Sequence, residues 1–64
     1  MLERARLLIN QSRYDLAEKE LRQYLARNMG DPEGHAMLAF CLNQQKKTRE
    51  ALTVIRQSIA LDPD

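Results

Sequence analysis

The chain has 64 residues, with ten Lys and Arg against nine Asp and Glu, one Cys and no Trp. One cysteine cannot form an intramolecular disulfide, and one His with one Cys cannot build a structural zinc site without carboxylates. The net charge of +1 gives no basic field that would attract nucleic acid or anionic lipid. No apolar run approaches the ~20 residues of a membrane span, and the first residues lack a secretory signal. We therefore expect a small helical, cytoplasmic domain without the staples usual below roughly 70–80 residues.

Apolar residues recur along the chain at spacings of three and four, which is typical of amphipathic helices. Polar segments of two to four residues separate them, and such short connections make sequential helices antiparallel neighbours. The predicted helices cover about residues 2–11, 13–28, 32–45 and 48–61.

Caps and turn residues mark where these helices begin and end. Asp31 before Pro32 is typical of an N-cap followed by the first helical residue. Gly30 is expected to take a positive φ and to end the preceding helix. Ser12 and Thr48 are the candidate N-caps of the second and fourth helices.

The sequence repeats itself at a shift of 34 residues. Most of the matching pairs lie on predicted packing faces, and Leu21 and Leu25 also meet apolar partners in Ile55 and Ile59. The shift predicts two copies of one helix pair, residues 1–30 and residues 31–64. The identical pairs are Ala5–Ala39, Leu8–Leu42, Gln11–Gln45, Ala17–Ala51, Arg22–Arg56, Gln23–Gln57 and Ala26–Ala60.

A helix–turn–helix unit with a period of 34 residues resembles the tetratricopeptide repeat. The second half carries most of the resemblance. Leu38-Ala39 occupies the place of the family's leucine–glycine pair, Ala51 and Ile55 match the second helix, and Pro63 matches its exit.

The resemblance implies an all-α fold of two tetratricopeptide repeats, with four antiparallel helices that start a right-handed superhelix. It also implies the N-terminal part of a longer, bacterial-type repeat protein. Arg4 and Met29 depart from the family's leucine and proline, and Ser12 and Lys46 replace the glycine common between its two helices.

In this family the first helix of each repeat lines a concave groove, which implies a non-catalytic module that binds a peptide or a partner helix. No cofactor, metal, nucleic acid or membrane contact is expected. Carried over position by position, the groove residues are Leu2, Arg6, Ile9, Asn10, Met37, Phe40, Asn43 and Gln44.

Two of these residues have competing interpretations. Phe40 lies off the core stripe of its helix, so its ring is either a partly exposed binding anchor or a contact for a further repeat. Arg6 either binds a carboxylate of the partner or is a solvated surface arginine.

Three alternatives to the groove remain open. The chain could be a structural segment of a longer scaffold that stacks on further repeats or on itself through an uncapped last helix, with Val54 and Leu61 exposed. The basic run 46–49 could contact phosphates, although a solvated loop is the simpler interpretation. An enzyme would need His35 or Cys41, but they point about 120° apart on one helix, and Cys41 is expected to be a buried packing residue.

Overall fold

The structure is a computed structural model that describes residues 2–61, except for the side chains of residues 58 and 61. Within that range, four α-helices pack against one another in chain order. Each helix packs against the next one along the chain, and no strand occurs between residues 2 and 61. The fold is therefore all-α, and each helix end lies within one residue of its predicted range. The helices are α1 (Glu3–Asn10), α2 (Tyr14–Arg27), α3 (Pro32–Gln44) and α4 (Thr48–Leu61).

The helices α1 and α3 end in the same main-chain motif. After α1, the N–H of Ser12 donates to the carbonyl of Ile9 at 2.9 Å, and the N–H of Arg13 donates to that of Leu8 at 2.8 Å. This is the Schellman motif, which places one residue in the left-handed region. Ser12 has φ 60°, and Lys46 has φ 64° at the equivalent place 34 residues later. The predicted cap is wrong, since Ser12 ends α1 and no side chain caps α2.

The end of α2 uses a side chain in place of a left-handed glycine. Asn28 Nδ2 donates to the carbonyl of Tyr24 at 2.9 Å, and the N–H of Asn28 donates to the same oxygen at 3.0 Å. The prediction for Gly30 is therefore wrong, because no glycine in residues 2–61 has a positive φ.

Asp31 joins the two helix pairs. Its Oδ1 accepts a hydrogen bond from the N–H of Glu33 at 3.0 Å, and Pro32 is the first helical residue, which confirms the predicted cap. The hydroxyl of Tyr24 donates to Oδ2 of Asp31. That bond lowers the pKa of Asp31 and raises the pKa of Tyr24.

The start of α3 lies close against α2. An added Cβ on Gly34 would lie 2.8 Å from Cδ2 of Leu25 and 3.1 Å from the ring of Tyr24, so any larger residue would force the Leu25 side chain to move. Nε2 of His35 is 2.9 Å from the carbonyl oxygen of Met29, and it therefore carries the proton and donates. The junction thus combines a tight packing contact with side-chain hydrogen bonds.

The core runs through all four helices. Small residues lie at equivalent places in the two helix pairs, Ala5 with Ala39 and Ala17 with Ala51, and all four are buried. The buried apolar residues are Leu2, Ala5, Ala17, Leu21, Leu25, Leu38, Ala39, Cys41, Leu42, Ala51 and Val54.

The exposed side of α4 differs from the prediction. Val54 is buried, because it lies three residues after Ala51 and shares the helix face that packs on α3. Among the described side chains of α4, the exposed large apolar residues are instead Leu52, Ile55 and Ile59. The prediction for Leu61 lies outside the described side chains.

Candidate functional site

A salt bridge connects the first helices of the two pairs. Nη2 of Arg6 on α1 lies 2.8 Å from Oε1 of Glu33 on α3. The exposed faces of α1 and α3 are therefore adjacent, and we call their joint surface, with the Tyr14 side chain beside it, the A-helix face. Glu33 was missed from the sequence, because its partner lies 27 positions away and only the packing of the pairs brings the two together.

The bridge is open to solvent, since 54% of the Arg6 side chain and 57% of the Glu33 side chain are exposed. Exposed pairs of this kind contribute about 0–1 kcal/mol. Arg6 therefore already has a carboxylate partner within the chain, and a carboxylate of a bound segment would have to displace Glu33 to reach it.

Phe40 is the most exposed aromatic residue of the A-helix face. The residue is 46% exposed, which agrees with both interpretations of its position in the sequence. The ring of Tyr14, at the start of α2, meets it edge to face, with the ring centroids 5.9 Å apart and the planes at 72°. Such a contact favours this orientation of the Phe40 ring.

Gln44 holds Tyr14 from the other side. Its Nε2 donates to the Tyr14 hydroxyl at 3.3 Å. Hydrogen bonds from Gln44 and Ser12 lower the pKa of Tyr14. Tyr14 is half-buried, so it packs against the core and at the same time supports the A-helix face.

Comparison with known protein families decides the identity of this arrangement. A family model described as tetratricopeptide repeat matches residues 8–64. The chain belongs to the tetratricopeptide repeat family. With its four helices it is a two-repeat segment, and this family consists of protein-interaction repeat modules. No curated protein and no solved structure matches the chain significantly.

The remaining predicted groove residues of this tetratricopeptide segment differ in accessibility. Asn10 and Asn43 are exposed, and Ile9 is half-buried against the core. Leu2 is only 7% exposed and belongs to the core, and Met37 is half-buried against it. Leu2 therefore supports the A-helix face from below and offers a partner little surface, whereas Ile9 and Met37 each expose part of their side chains.

The basic run of the tetratricopeptide segment lies at the loop between α3 and α4. Nζ of Lys47 lies 3.2 Å from Oε1 of Glu18, and the same oxygen accepts a hydrogen bond from Nε2 of Gln45 at 2.8 Å. The other carboxylate oxygen of Glu18, Oε2, pairs with Nε of Arg22 at 2.9 Å. Burial raises the pKa of Glu18, but these hydrogen bonds outweigh it and keep the pKa below its ordinary value. One cation of the run is thus already neutralised within the chain, which weakens the run as a phosphate contact.

Cys41 is fully buried, as predicted for a packing residue. Burial, and to a lesser extent the charge of Glu18, raises the pKa of its thiol to about 11. A thiol with such a pKa is protonated near neutral pH and is a poor nucleophile. Within residues 2–61, no group of three or more His, Cys, Asp or Glu is placed to hold a metal ion.

Length and hydropathy bear on membrane insertion. No helix in the part of the chain that the structure describes is long and apolar enough to cross a bilayer.

Proposed function

We propose that the two repeats bind an extended peptide or a partner helix along the A-helix face, with Phe40 as its anchor. The observation that carries the proposal is the half-exposed Phe40 ring, whose orientation is favoured by its contact with Tyr14. Aromatic side chains that are rigid before binding give large contact area at little entropic cost. Binding energy of interfaces concentrates in a few such anchors.

The polar residues around Phe40 suit the main chain of a bound segment. Asn10, Asn43 and Gln44 are exposed amides, and each amide both donates and accepts hydrogen bonds. Gln44 is already oriented by its bond to Tyr14. Ile9 and Met37 add apolar surface, and Leu2 supports the face from the core.

Charge sets which segments the A-helix face would accept. The positive charge of Arg6 is balanced by Glu33, so this pair brings no net charge to the face. A partner carboxylate must compete with Glu33 for Arg6. We therefore expect a preference for uncharged, apolar segments, and acidic segments should bind better after Glu33→Gln.

Binding should be modest, because two repeats offer a short face. The test is a peptide-display selection against the chain, followed by fluorescence anisotropy titrations of the selected peptides. We expect Phe40→Ala to raise Kd about tenfold, since an anchor contributes more than about 1 kcal/mol. Leu16→Ala is the matched control, because Leu16 is a comparably exposed apolar residue on α2. Equal Kd values for the wild-type chain and for a folded Phe40→Ala variant would refute the proposal.

We propose no catalytic role for His35 or Cys41. Nε2 of His35 faces the carbonyl of Met29 and its Nδ1 is buried away from solvent, and the Cys41 thiol is buried and protonated.

An uncovered apolar face favours a second candidate function, in which the segment stacks on further repeats of a longer scaffold. Ile55 and Ile59 on α4 are exposed beside α3. A chain extended by a second copy of residues 31–64 would cover them, so its Tm should exceed that of the 64-residue chain by several degrees. An unchanged Tm would argue against stacking.

A further inference from the structure

The second helix pair carries an open apolar face, which we call the α4 face. Ala36, Ala39 and Phe40 of α3 and Ile55 and Ile59 of α4 line a shallow depression of about 320 Å³. Ile55 is 42% exposed and Ile59 is 57% exposed. The α4 face shares only Phe40 with the predicted binding residues of the A-helix face.

In the first helix pair, a neighbouring helix covers the equivalent apolar face. Ile55 and Ile59 lie 34 positions after Leu21 and Leu25, which are 0% and 7% exposed. The helix α3 packs on that equivalent surface, and Gly34 brings it against Leu25. Equivalent surfaces therefore occur on α2 and on α4, and α3 covers the one on α2.

The chain also contains a second helix of that type. The helix α1 is equivalent to α3 at the 34-residue shift, and Leu7 takes the place of Cys41. Cys41 is fully buried, whereas Leu7 is 55% exposed. One chain thus carries both surfaces that a contact between repeats needs. Exposed apolar side chains lie on α4, which takes the place of α2, and on α1, which takes the place of α3.

We propose that α1 of a second copy docks on the α4 face, as α3 docks on the first helix pair. The contact is head to tail, so each added copy leaves a free α4 face and a free α1, and assembly continues without closing. This inference rests on the second candidate function and names the partner, another copy of the chain.

Register and affinity follow from the same equivalence. Nε2 of Gln45 donates both to Oε1 of Glu18 at 2.8 Å and to the carbonyl of Cys41 at 3.2 Å, so these two residues are neighbours. By equivalence Leu7 should lie near Leu52, which takes the place of Glu18 and is exposed. Arg4 stands where α3 has Leu38, and its side chain now pairs with Glu20 at 3.2 Å. A charged residue at that place makes the contact weaker than the one inside the chain, although its stem can cover apolar surface.

Cysteine cross-linking tests the orientation. Chains carrying Leu7→Cys and chains carrying Leu52→Cys are mixed under mild oxidation, and covalent dimers are separated by mass. We expect the mixed dimer to exceed each of the two same-variant dimers severalfold. The buried Cys41 does not compete. Met29→Cys with Leu52→Cys is the control pair, because Met29 is exposed in the loop before α3.

Sedimentation velocity of the wild-type chain supplies the second measurement. We expect the average mass to rise steadily with concentration beyond a dimer, and Ile59→Gln to suppress the rise while Met29→Gln leaves it unchanged. A mixed cross-link no stronger than the control, or a closed dimer in which Leu52→Cys pairs with itself, would overturn the proposal. Suppose the chain extended by a second copy of residues 31–64 has a higher Tm but no mixed cross-link forms. Stacking on further repeats is then supported and docking of a second copy is refuted. If the Tm is unchanged and no mixed cross-link forms, both proposals are refuted.

Discussion

Replacing Lys46 by glycine tests the left-handed turn that ends α3. Lys46 has φ 64°, and its N–H donates to the carbonyl of Asn43 at 2.9 Å. The N–H of Lys47 donates to the carbonyl of Leu42 at 2.8 Å. These bonds fix the turn, so lysine must occupy a conformation that glycine adopts without steric cost.

The size of the effect follows from two opposing terms. A left-handed conformation costs a residue with a Cβ about 1–2 kcal/mol. Glycine loses about 0.5–1 kcal/mol more conformational entropy on folding. Lys46→Gly should therefore raise the free energy of unfolding by about 0.5–1 kcal/mol. In a chain of this size that corresponds to about 2–8 °C in Tm.

Urea unfolding followed by circular dichroism at one fixed concentration measures the change. Lys46→Ala is the matched control, since it removes the charge and keeps the Cβ, and its stability should stay within about 0.5 kcal/mol of wild type. A Lys46→Gly chain no more stable than the Lys46→Ala chain would refute the assigned strain. Ser12→Gly should gain less, because it also removes the Ser12 hydrogen bond to Tyr14.

Three further predictions concern the interior. Because the pKa of Glu18 is lowered in the folded chain, its carboxylate stabilises the fold above about pH 5, and this stabilisation is lost as pH falls through the folded pKa. Glu18→Gln should therefore make the free energy of unfolding fall less steeply on acid titration. An unchanged slope of the free energy of unfolding against pH would contradict this. Cys41, with a pKa of about 11, should react with an aromatic disulfide at pH 8 only as fast as the chain unfolds, which immediate labelling in native buffer would disprove. Leu21→Ala should lower the free energy of unfolding by about 2–5 kcal/mol and leave the chain largely unfolded by circular dichroism, whereas Leu16→Ala, at an exposed site, should change it by less than about 1 kcal/mol.

The helices were predictable because local signals mark them. Asp31-Pro32 is a cap and start that acts within three residues, and the apolar spacing fixes which side of each helix is buried. The left-handed residues were not found, because propensity points to Gly30 while the motif that needs them lies at Ser12 and Lys46. There the hydrogen bonds of the turn overrule the preference of the residue.

The candidate site was predictable only in part. The exposure of Phe40 follows from its angular position on α3, which the sequence contains. The bridge between Arg6 and Glu33 and the contact of Tyr14 with Phe40 depend on how one repeat packs on the other, which no local pattern encodes. Val54 was misplaced because the 34-residue shift matches Ile55 and Ile59, not Val54, to buried leucines, whereas α3 packs on the face of α4 that carries Ala51 and Val54.

The turns within the helix pairs and the junction between the pairs differ in how many side chains they need. The turns after α1 and α3 share one set of main-chain hydrogen bonds, and the side chains of Gln45 and Lys47 tie the second turn to Glu18. The junction between α2 and α3 needs Tyr24, Asp31 and His35 together, along with the glycine at position 34. The block that keeps the contacts of this junction together is therefore helix α2 with helix α3, residues 13–45, and it straddles the boundary between the two sequence repeats.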